Sequence, residues 1–129
     1  MKDAQMRTPM RRVRGMGAAH TGTKDFWHQR VTSVAGIPLT IALIVIAIAL
    51  LGRSHAAAVQ ILGSPIVAII MLLFIVNIVY HMWIGMQEII VDYVHEDKLK
   101  LAALMGNTFF CFGIAFASAF AILKLSFGV

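Results

Sequence analysis

The fold is decided by an apolar stretch without formal charge, PIVAIIMLLFIVNIVYHMWIGM, which runs from Pro65 to Met86. It lies in a longer uncharged segment between Arg53 and Glu88. About 20 helical residues cross the ~30 Å hydrocarbon layer of a bilayer, and a proline suits the first turn of a helix. The stretch therefore predicts a transmembrane helix over about residues 65–91.

Two more uncharged segments flank this one. The N-terminal segment predicts a span over about residues 31–52, and the C-terminal segment predicts a span over about residues 101–124. Only helices and closed barrels satisfy their backbone groups in lipid, and these long uncharged runs lack the ~10-residue alternation of barrel strands. The sequence therefore predicts an all-α integral membrane protein with three transmembrane helices, in which residues 31–129 form the membrane-anchor domain.

Composition and charge support a membrane protein and set its orientation. Of the 129 residues, 60% are hydrophobic and only 13% are charged, against ~25% charged in an average globular domain, which excludes a soluble monomer. Seven of the eleven Lys and Arg lie in residues 1–30, and Lys98 and Lys100 follow the second span, whereas Arg53 and Lys124 lie on the other side. The positive-inside rule therefore predicts a cytoplasmic N-terminus.

The basic N-terminal segment, residues 1–30, is expected in the cytoplasm or at the membrane interface. Its cations suit topology and contact with anionic lipid better than a soluble partner, and nucleic acid is not an expected partner. The first apolar run starts too late for a cleaved signal peptide, and the basic start contains Asp3 and no serine, unlike a transit peptide. We therefore expect the bacterial inner membrane rather than the mitochondrial one. The single Cys111 lies inside a span and indicates nothing about compartment.

The second span carries a stripe of polar and small residues. At ~100° per residue, five positions fall within about 40° either side of the histidine: Asn77, His81, Gly85, Glu88 and Asp92. Such a face cannot point at lipid. We expect it to face a helix bundle, a partner subunit or a cofactor.

His81 is the deepest ionisable residue of this stripe. A histidine at membrane depth costs free energy unless it bonds a helix, binds a metal or relays protons. Two interpretations stay open: an interhelical hydrogen bond, and axial ligation of haem iron through a neutral imidazole nitrogen. Gly85 equally suits a flat macrocycle or close helix packing. His55 lies at the opposite membrane surface, so a second haem ligand would come from another chain.

Three more residues lie where the spans meet the predicted cytoplasmic interface. Tyr93 either anchors in the aromatic belt, which its type and depth favour, or donates a hydrogen bond to a ligand oxygen. Asp92 either is a solvated charge or orients that ligand and relays a proton. Arg30 either snorkels to lipid phosphate, which physical grounds alone favour, or reaches a buried anion.

Two runs carry a resemblance to a known family: HMWIGMQ at residues 81–87 with DYV at residues 92–94, and GTKDF at residues 22–26 with Arg30 and Thr32 following. They closely resemble the small hydrophobic membrane-anchor subunit of succinate dehydrogenase, the cytochrome b small subunit of respiratory complex II. The number, lengths and orientation of the spans agree over nearly the whole chain. The spacing from the histidine to the Asp-Tyr pair on the second span is the most specific part.

The resemblance implies pairing with a second hydrophobic cytochrome b anchor subunit, with one haem b held between the two by a histidine from each, here His81. Arg30 matches an arginine near the haem propionates, which reverses the preference for lipid. Tyr93 matches a tyrosine that donates a hydrogen bond to ubiquinone, and Asp92 lies beside it as a quinone-site or proton-relay residue. An iron-sulfur subunit and a flavoprotein subunit complete the implied complex. No role follows for Glu88.

The resemblance implies that electrons from succinate pass through the flavin and iron-sulfur subunits to quinone. The chain itself has no flavin-binding motif and no cysteine cluster, so it is not catalytic alone. One alternative is the anchor of a fumarate reductase or another quinone-reactive cytochrome b, because direction depends on cofactor potentials. Another is a small proton-coupled transporter, which is disfavoured because the acidic residues crowd one membrane surface while His81 lies deep.

Overall fold

The structure, a computed structural model, describes Thr8, Met10 and residues 20–128. The regular structure of this part of the chain consists of four helices: α1 His20–Leu50, α2 His55–Leu62, α3 Pro65–Tyr93 and α4 Asp97–Phe127. Three of them, α1, α3 and α4, are long and apolar enough to cross a membrane. The predicted all-α fold with three spans is confirmed. Of the predicted basic segment, residues 1–30, only Thr8, Met10 and residues 20–30 are described, and the rest lies outside the described residues.

The first long helix begins earlier than the sequence analysis placed its span. α1 starts at His20, and its membrane-length portion, Thr23–Leu50, begins before residue 31. Its 31 residues correspond to about 46 Å at 1.5 Å per residue, which exceeds the ~30 Å hydrocarbon layer. The charged first turns of α1 are thus a continuation of the spanning helix.

Local sequence explains where the helices end and restart. Gly52 takes a positive φ of 70° just after α1, a conformation that glycine adopts without steric cost. Ser54 then caps α2, which the sequence analysis did not predict, by accepting a hydrogen bond from the Ala57 N–H at 3.3 Å. Pro65 occupies the first turn of α3, as expected.

The third helix is the centre of the arrangement. α1 packs along one side of α3 and α4 packs along another, and within residues 20–128 α1 and α4 form no comparable interface with each other. His81, which faces α1, and Trp83, which faces α4, are two residues apart and so point about 200° apart around the helix. The three long helices therefore lie in a row, with the predicted polar stripe on the middle one.

Candidate functional site

The polar stripe of α3 faces α1 over its deeper half. Asn77 donates a hydrogen bond from Nδ2 to the backbone oxygen of Thr32 at 3.0 Å, and His81 lies one turn further on, against the side chain of the same threonine. The stripe thus looks into the bundle at these positions, which was one of its three expected surroundings. Thr32 is contacted from two successive turns of α3.

The imidazole of His81 is bonded through one nitrogen only. Its Nδ1 lies 2.8 Å from Thr32 Oγ1, and Nε2 has no hydrogen-bond partner among the described residues. The interhelical hydrogen bond that the sequence left open is therefore present. It does not exclude the other interpretation, because one ring nitrogen is still free to bind a ligand.

Gly85 serves close helix packing. A Cβ atom at this position would lie 3.3 Å from Nε2 of Gln29 on α1, so the side chain of Gln29 occupies the space that the glycine leaves. Gly36 plays the matching part on α1, where a Cβ would lie 3.3 Å from Nδ2 of Asn77. The close helix packing considered for Gly85 is therefore present.

Two open grooves meet at His81. The first, here called the mid-span groove, has a volume of about 440 Å³ and is lined mainly by Thr32, Gly36, Thr40, Asn77 and His81. The second, here called the end groove, has a volume of about 560 Å³ and is lined by Phe26, Gln29, Arg30, Ser33, Val34, His81 and Glu88. His81 therefore lines both grooves on the α1–α3 face of the molecule.

Charged and polar groups gather in the end groove. Arg30 is exposed, with its guanidinium carbon 4.9 Å from the centre of the Phe26 ring, and Glu88 lines the same groove from α3. The Oε1 atom of Gln29 is buried and has no hydrogen-bond partner among the described residues. Arg30 and His81 thus line the same groove. Gln29, which also lines it, has a hydrogen-bond acceptor, Oε1, without a donor among the described residues.

Tyr93 and Asp92 lie apart from the histidine. They end α3 and are exposed, Tyr93 to 78%, and neither makes a hydrogen bond or ion pair within the described part of the chain. They follow His81 by 11 and 12 residues, or roughly 16–18 Å along a helix. The structure therefore separates the predicted quinone residues from the predicted haem ligand.

The part that α1 takes in the site was not predicted. Thr32 was noted only as part of the family resemblance, and Gln29 was not singled out. A usable signal was present, because small and polar residues recur on α1 at intervals of three and four: Gln29, Thr32, Ser33, Gly36 and Thr40. Gln29, Thr32 and Gly36 of this stripe on α1 pack against the polar stripe of α3.

A second set of polar contacts lies on the other flank of α3. Trp83 donates a hydrogen bond from Nε1 to Thr108 Oγ1 at 3.2 Å, and its backbone oxygen accepts one from Asn107 Nδ2 at 3.1 Å. Cys111 is buried and donates from Sγ to Asn107 Oδ1 at 3.4 Å. These groups join α3 to α4, and each of the bonds closes within the chain.

Tyr80 connects the two flanks. Its hydroxyl lies 3.2 Å from Nδ1 of His28 on α1, and its ring stacks on Trp83 with centroids 5.9 Å apart. Tyr80 and Trp83 also line an apolar pocket of about 290 Å³ between α3 and α4. His28 is exposed, and its ring has Tyr80 as its hydrogen-bond partner.

Comparison with known proteins agrees with the helical arrangement. Residues 4–115 match the family described as the succinate dehydrogenase/fumarate reductase transmembrane subunit. The chain is 28% identical over 121 residues to the succinate dehydrogenase hydrophobic membrane anchor subunit of Paracoccus denitrificans, which covers 94% of this chain and 93% of that protein. No solved structure is significantly similar to the chain. Three spans, the stripe around His81 and the match over most of its length place this chain in the family of succinate dehydrogenase/fumarate reductase transmembrane subunits.

Proposed function

We propose that this chain is a membrane-anchor subunit of a succinate:ubiquinone oxidoreductase in a bacterial inner membrane. It assembles there with a second hydrophobic anchor subunit, an iron-sulfur subunit and a flavoprotein subunit. The family match and the bacterial relative, whose name describes a succinate dehydrogenase anchor, support this assignment. The three membrane-length helices supply the anchor itself.

The residues around His81 fit a site in which this histidine would bind the iron of a haem b. The imidazole is held at Nδ1 by Thr32, and Nε2 is without a hydrogen-bond partner in the described residues, as an iron-binding nitrogen requires. Open grooves lie on the same face. A second ligand would come from the partner anchor subunit, and the guanidinium of Arg30, in the end groove with His81, would offer a cation to a propionate.

When bound, haem b supplies a one-electron redox centre within the membrane. The residues of this chain supply binding and orientation. α3 carries His81 at a fixed depth, and Thr32 holds its ring from α1. The buried side-chain oxygen of Gln29, Oε1, lacks a donor within the described residues, and a group arriving in the end groove can provide that donor.

Ubiquinone reduction takes place at the exposed end of α3. The reaction adds two electrons, delivered by the iron-sulfur subunit, and two protons to the quinone. The Tyr93 hydroxyl donates a hydrogen bond to a quinone carbonyl oxygen, and the adjacent Asp92 carboxylate orients the head group and passes protons from the aqueous side. Both residues are exposed at the end of the helix and have no partner in the described part of the chain, which leaves them available to a ligand.

The observation that carries the proposal is the one-sided bonding of His81 in a family anchor subunit, and spectroscopy of the purified complex tests it. Reduced-minus-oxidised spectra of the wild-type complex should show a b-type band. His81→Ala should remove the band, whereas His55→Ala, at the start of α2, should retain it. Absence of the band from the wild-type complex would overturn the haem assignment, and its persistence in His81→Ala would overturn the choice of ligand.

The same preparations test the quinone site. Tyr93→Phe should impair succinate-dependent ubiquinone reduction while succinate oxidation with an artificial acceptor continues. Tyr80→Phe is the matched control, because that hydroxyl already has a partner, His28, inside the chain. Equal loss of both activities in Tyr93→Phe would mean failed assembly and contradict a specific role in quinone binding.

A further inference from the structure

We propose that Thr32 is a positioning residue that fixes His81 in the tautomer protonated on Nδ1 and so leaves Nε2 as an unprotonated ligand atom. The part of this inference that concerns haem rests on the proposed function. The part that concerns the tautomer is a property of the chain itself.

The tautomer follows from counting donors around one hydroxyl. Thr32 Oγ1 lies 2.8 Å from the His28 backbone oxygen and 3.1 Å from the Gln29 backbone oxygen. A carbonyl oxygen only accepts hydrogen bonds, and a hydroxyl has one proton. That proton is therefore directed at the carbonyl groups of α1, and Oγ1 is left with lone pairs for His81. The contact at 2.8 Å with Nδ1 is then a hydrogen bond that Nδ1–H donates.

The opposite tautomer would leave polar atoms without partners at membrane depth. If Nδ1 were unprotonated, the proton of the Thr32 hydroxyl would have to turn toward the ring. The lone pairs of Oγ1 would then face the two carbonyl oxygens of α1. An unsatisfied polar contact costs free energy in the absence of water. Within the membrane span, the preference for the proton on Nδ1 is correspondingly strong.

The position of the threonine is itself fixed. Thr32 is buried, with only 8% of its surface exposed, and its branched side chain has few rotamers in a helix. Asn77 bonds its backbone oxygen at 3.0 Å while His81 contacts its side chain. Because Asn77 and His81 are four residues apart on α3, they lie on one helix face and can both bond Thr32. The hydroxyl is therefore a rigid reference point for the imidazole ring.

A hydrogen-bond partner of this kind sets both the orientation and the charge of a ligand. Metal-binding histidines commonly donate their second N–H to a carboxylate, a carbonyl group or water, which fixes the ring. Here the acceptor is an uncharged hydroxyl, which orients the ring without adding a negative charge beside it. Thr32 thus acts through His81 and contributes no ligand atom of its own.

The test measures the tautomer before any haem is present. The full chain, with ¹⁵N-labelled histidine, is reconstituted in lipid nanodiscs without haem, and the His81 signals are identified by their loss in His81→Gln. In the wild type we expect Nδ1 in the protonated range of nitrogen shifts and Nε2 in the unprotonated range. Thr32→Ser, which keeps the hydroxyl, should retain this pattern. Thr32→Val should shift the population toward the Nε2–H tautomer.

A matched variant controls for loss of any threonine hydroxyl near α3. Thr108→Val removes a hydroxyl that is bonded to Trp83 on the other flank, and the His81 tautomer should not change. The inference is overturned if wild-type Nδ1 is unprotonated, or if Thr32→Val leaves the tautomer as in the wild type. Neither result depends on haem.

The assembled complex gives a second readout. Transfer of haem from the complex to apomyoglobin should be faster in Thr32→Val, with retention weakened by about tenfold or more, as is common for partners of metal ligands, and Thr32→Ser should restore it. If the wild-type complex holds no haem, the proposed haem site fails while the tautomer result stands. Unchanged retention in Thr32→Val, in a complex that does hold haem, would contradict the positioning role.

Discussion

The two flanks of α3 treat their polar groups differently. On the α4 side, Trp83, Asn107, Thr108 and Cys111 bond one another, and each of these polar side chains finds its partner within this chain. On the α1 side, His81 uses only one of its ring nitrogens. A closed network joins two helices, whereas an open one leaves bonding capacity for something else. The α4 flank of this helix thus serves packing, whereas the α1 flank carries the proposed ligand site.

The grooves follow the same division. The mid-span and end grooves both lie on the α1 side and include polar groups, and the end groove also includes the charged Arg30 and Glu88. The pocket on the α4 side is smaller, and its lining surface is almost entirely apolar. We therefore expect substitutions on the α4 side to change the free energy of unfolding. Substitutions on the α1 side should also change the b-type haem band and the tautomer of His81.

The largest effect is expected where the two helices of the open flank come closest. Gly85→Leu places a side chain where Gln29 now lies, 3.3 Å from the position of a Cβ atom. Overpacking of this kind costs about 1–3 kcal/mol, and α1 must shift together with Thr32. We expect a lower free energy of unfolding in detergent–SDS titrations and a reduced b-type band in the complex.

A graded pair of variants decides whether crowding is the cause. Gly85→Ala should be nearly neutral, because the atom that it meets is the far end of a flexible side chain. Gly113→Leu on α4 adds the same leucine where no atom lies within 4 Å of a Cβ, and it should leave the haem band intact. A wild-type band in Gly85→Leu would contradict the proposed link between helix packing and the histidine.

A smaller effect is expected from removing hydrogen bonds on the α4 side of α3. Asn107→Leu removes the hydrogen bond to the Trp83 backbone oxygen and the one from Cys111. The bond to Trp83 joins two helices, and such bonds in membranes contribute about 0.6 kcal/mol on average. The Cys111 bond lies within α4, and the loss of both should cost about 1 kcal/mol. Unfolding titrations measure it, while the haem band and the His81 tautomer should stay as in the wild type. A change in either would show that the flanks are coupled.

The smallest effect is expected from a single bond on that flank. Thr108→Val removes the acceptor of the Trp83 Nε1 hydrogen bond and keeps the side-chain shape. The expected destabilisation is about 0.6 kcal/mol, accompanied by a change in the indole signal of Trp83, which Trp27 on α1 should not share. Equal changes at both indoles would instead indicate a general rearrangement.

The spans and the stripe could be predicted because lipid imposes simple rules. Long uncharged segments located α1, α3 and α4, and the helical period placed Asn77, His81 and Gly85 on one face, which the structure confirms. The early start of α1 was missed because charged residues at its beginning do not prevent a helix from continuing beyond the hydrocarbon. The short helix α2 was missed although Ser54 before an alanine-rich run is a usable capping signal.

The partner of His81 was harder to predict. A polar stripe shows which way a helix faces, but the register between two helices depends on how their small residues interlock, here Gly36 against Asn77 and Gly85 against Gln29. A period of 3.6 residues contains no information on that register. The roles of Arg30, Asp92 and Tyr93 toward haem and quinone stay predictions.

The row formed by α1, α3 and α4 has a consequence for where this protein keeps its interior. Three helices side by side enclose no common centre, and the buried hydrophobic residues of the described chain are only these: Ile46, Ala68, Ile84, Ile90, Cys111 and Ile122. Most of its apolar side chains therefore meet lipid or other subunits. The apolar surface that a soluble protein would bury in its own core is here left for contacts with the neighbours of the chain.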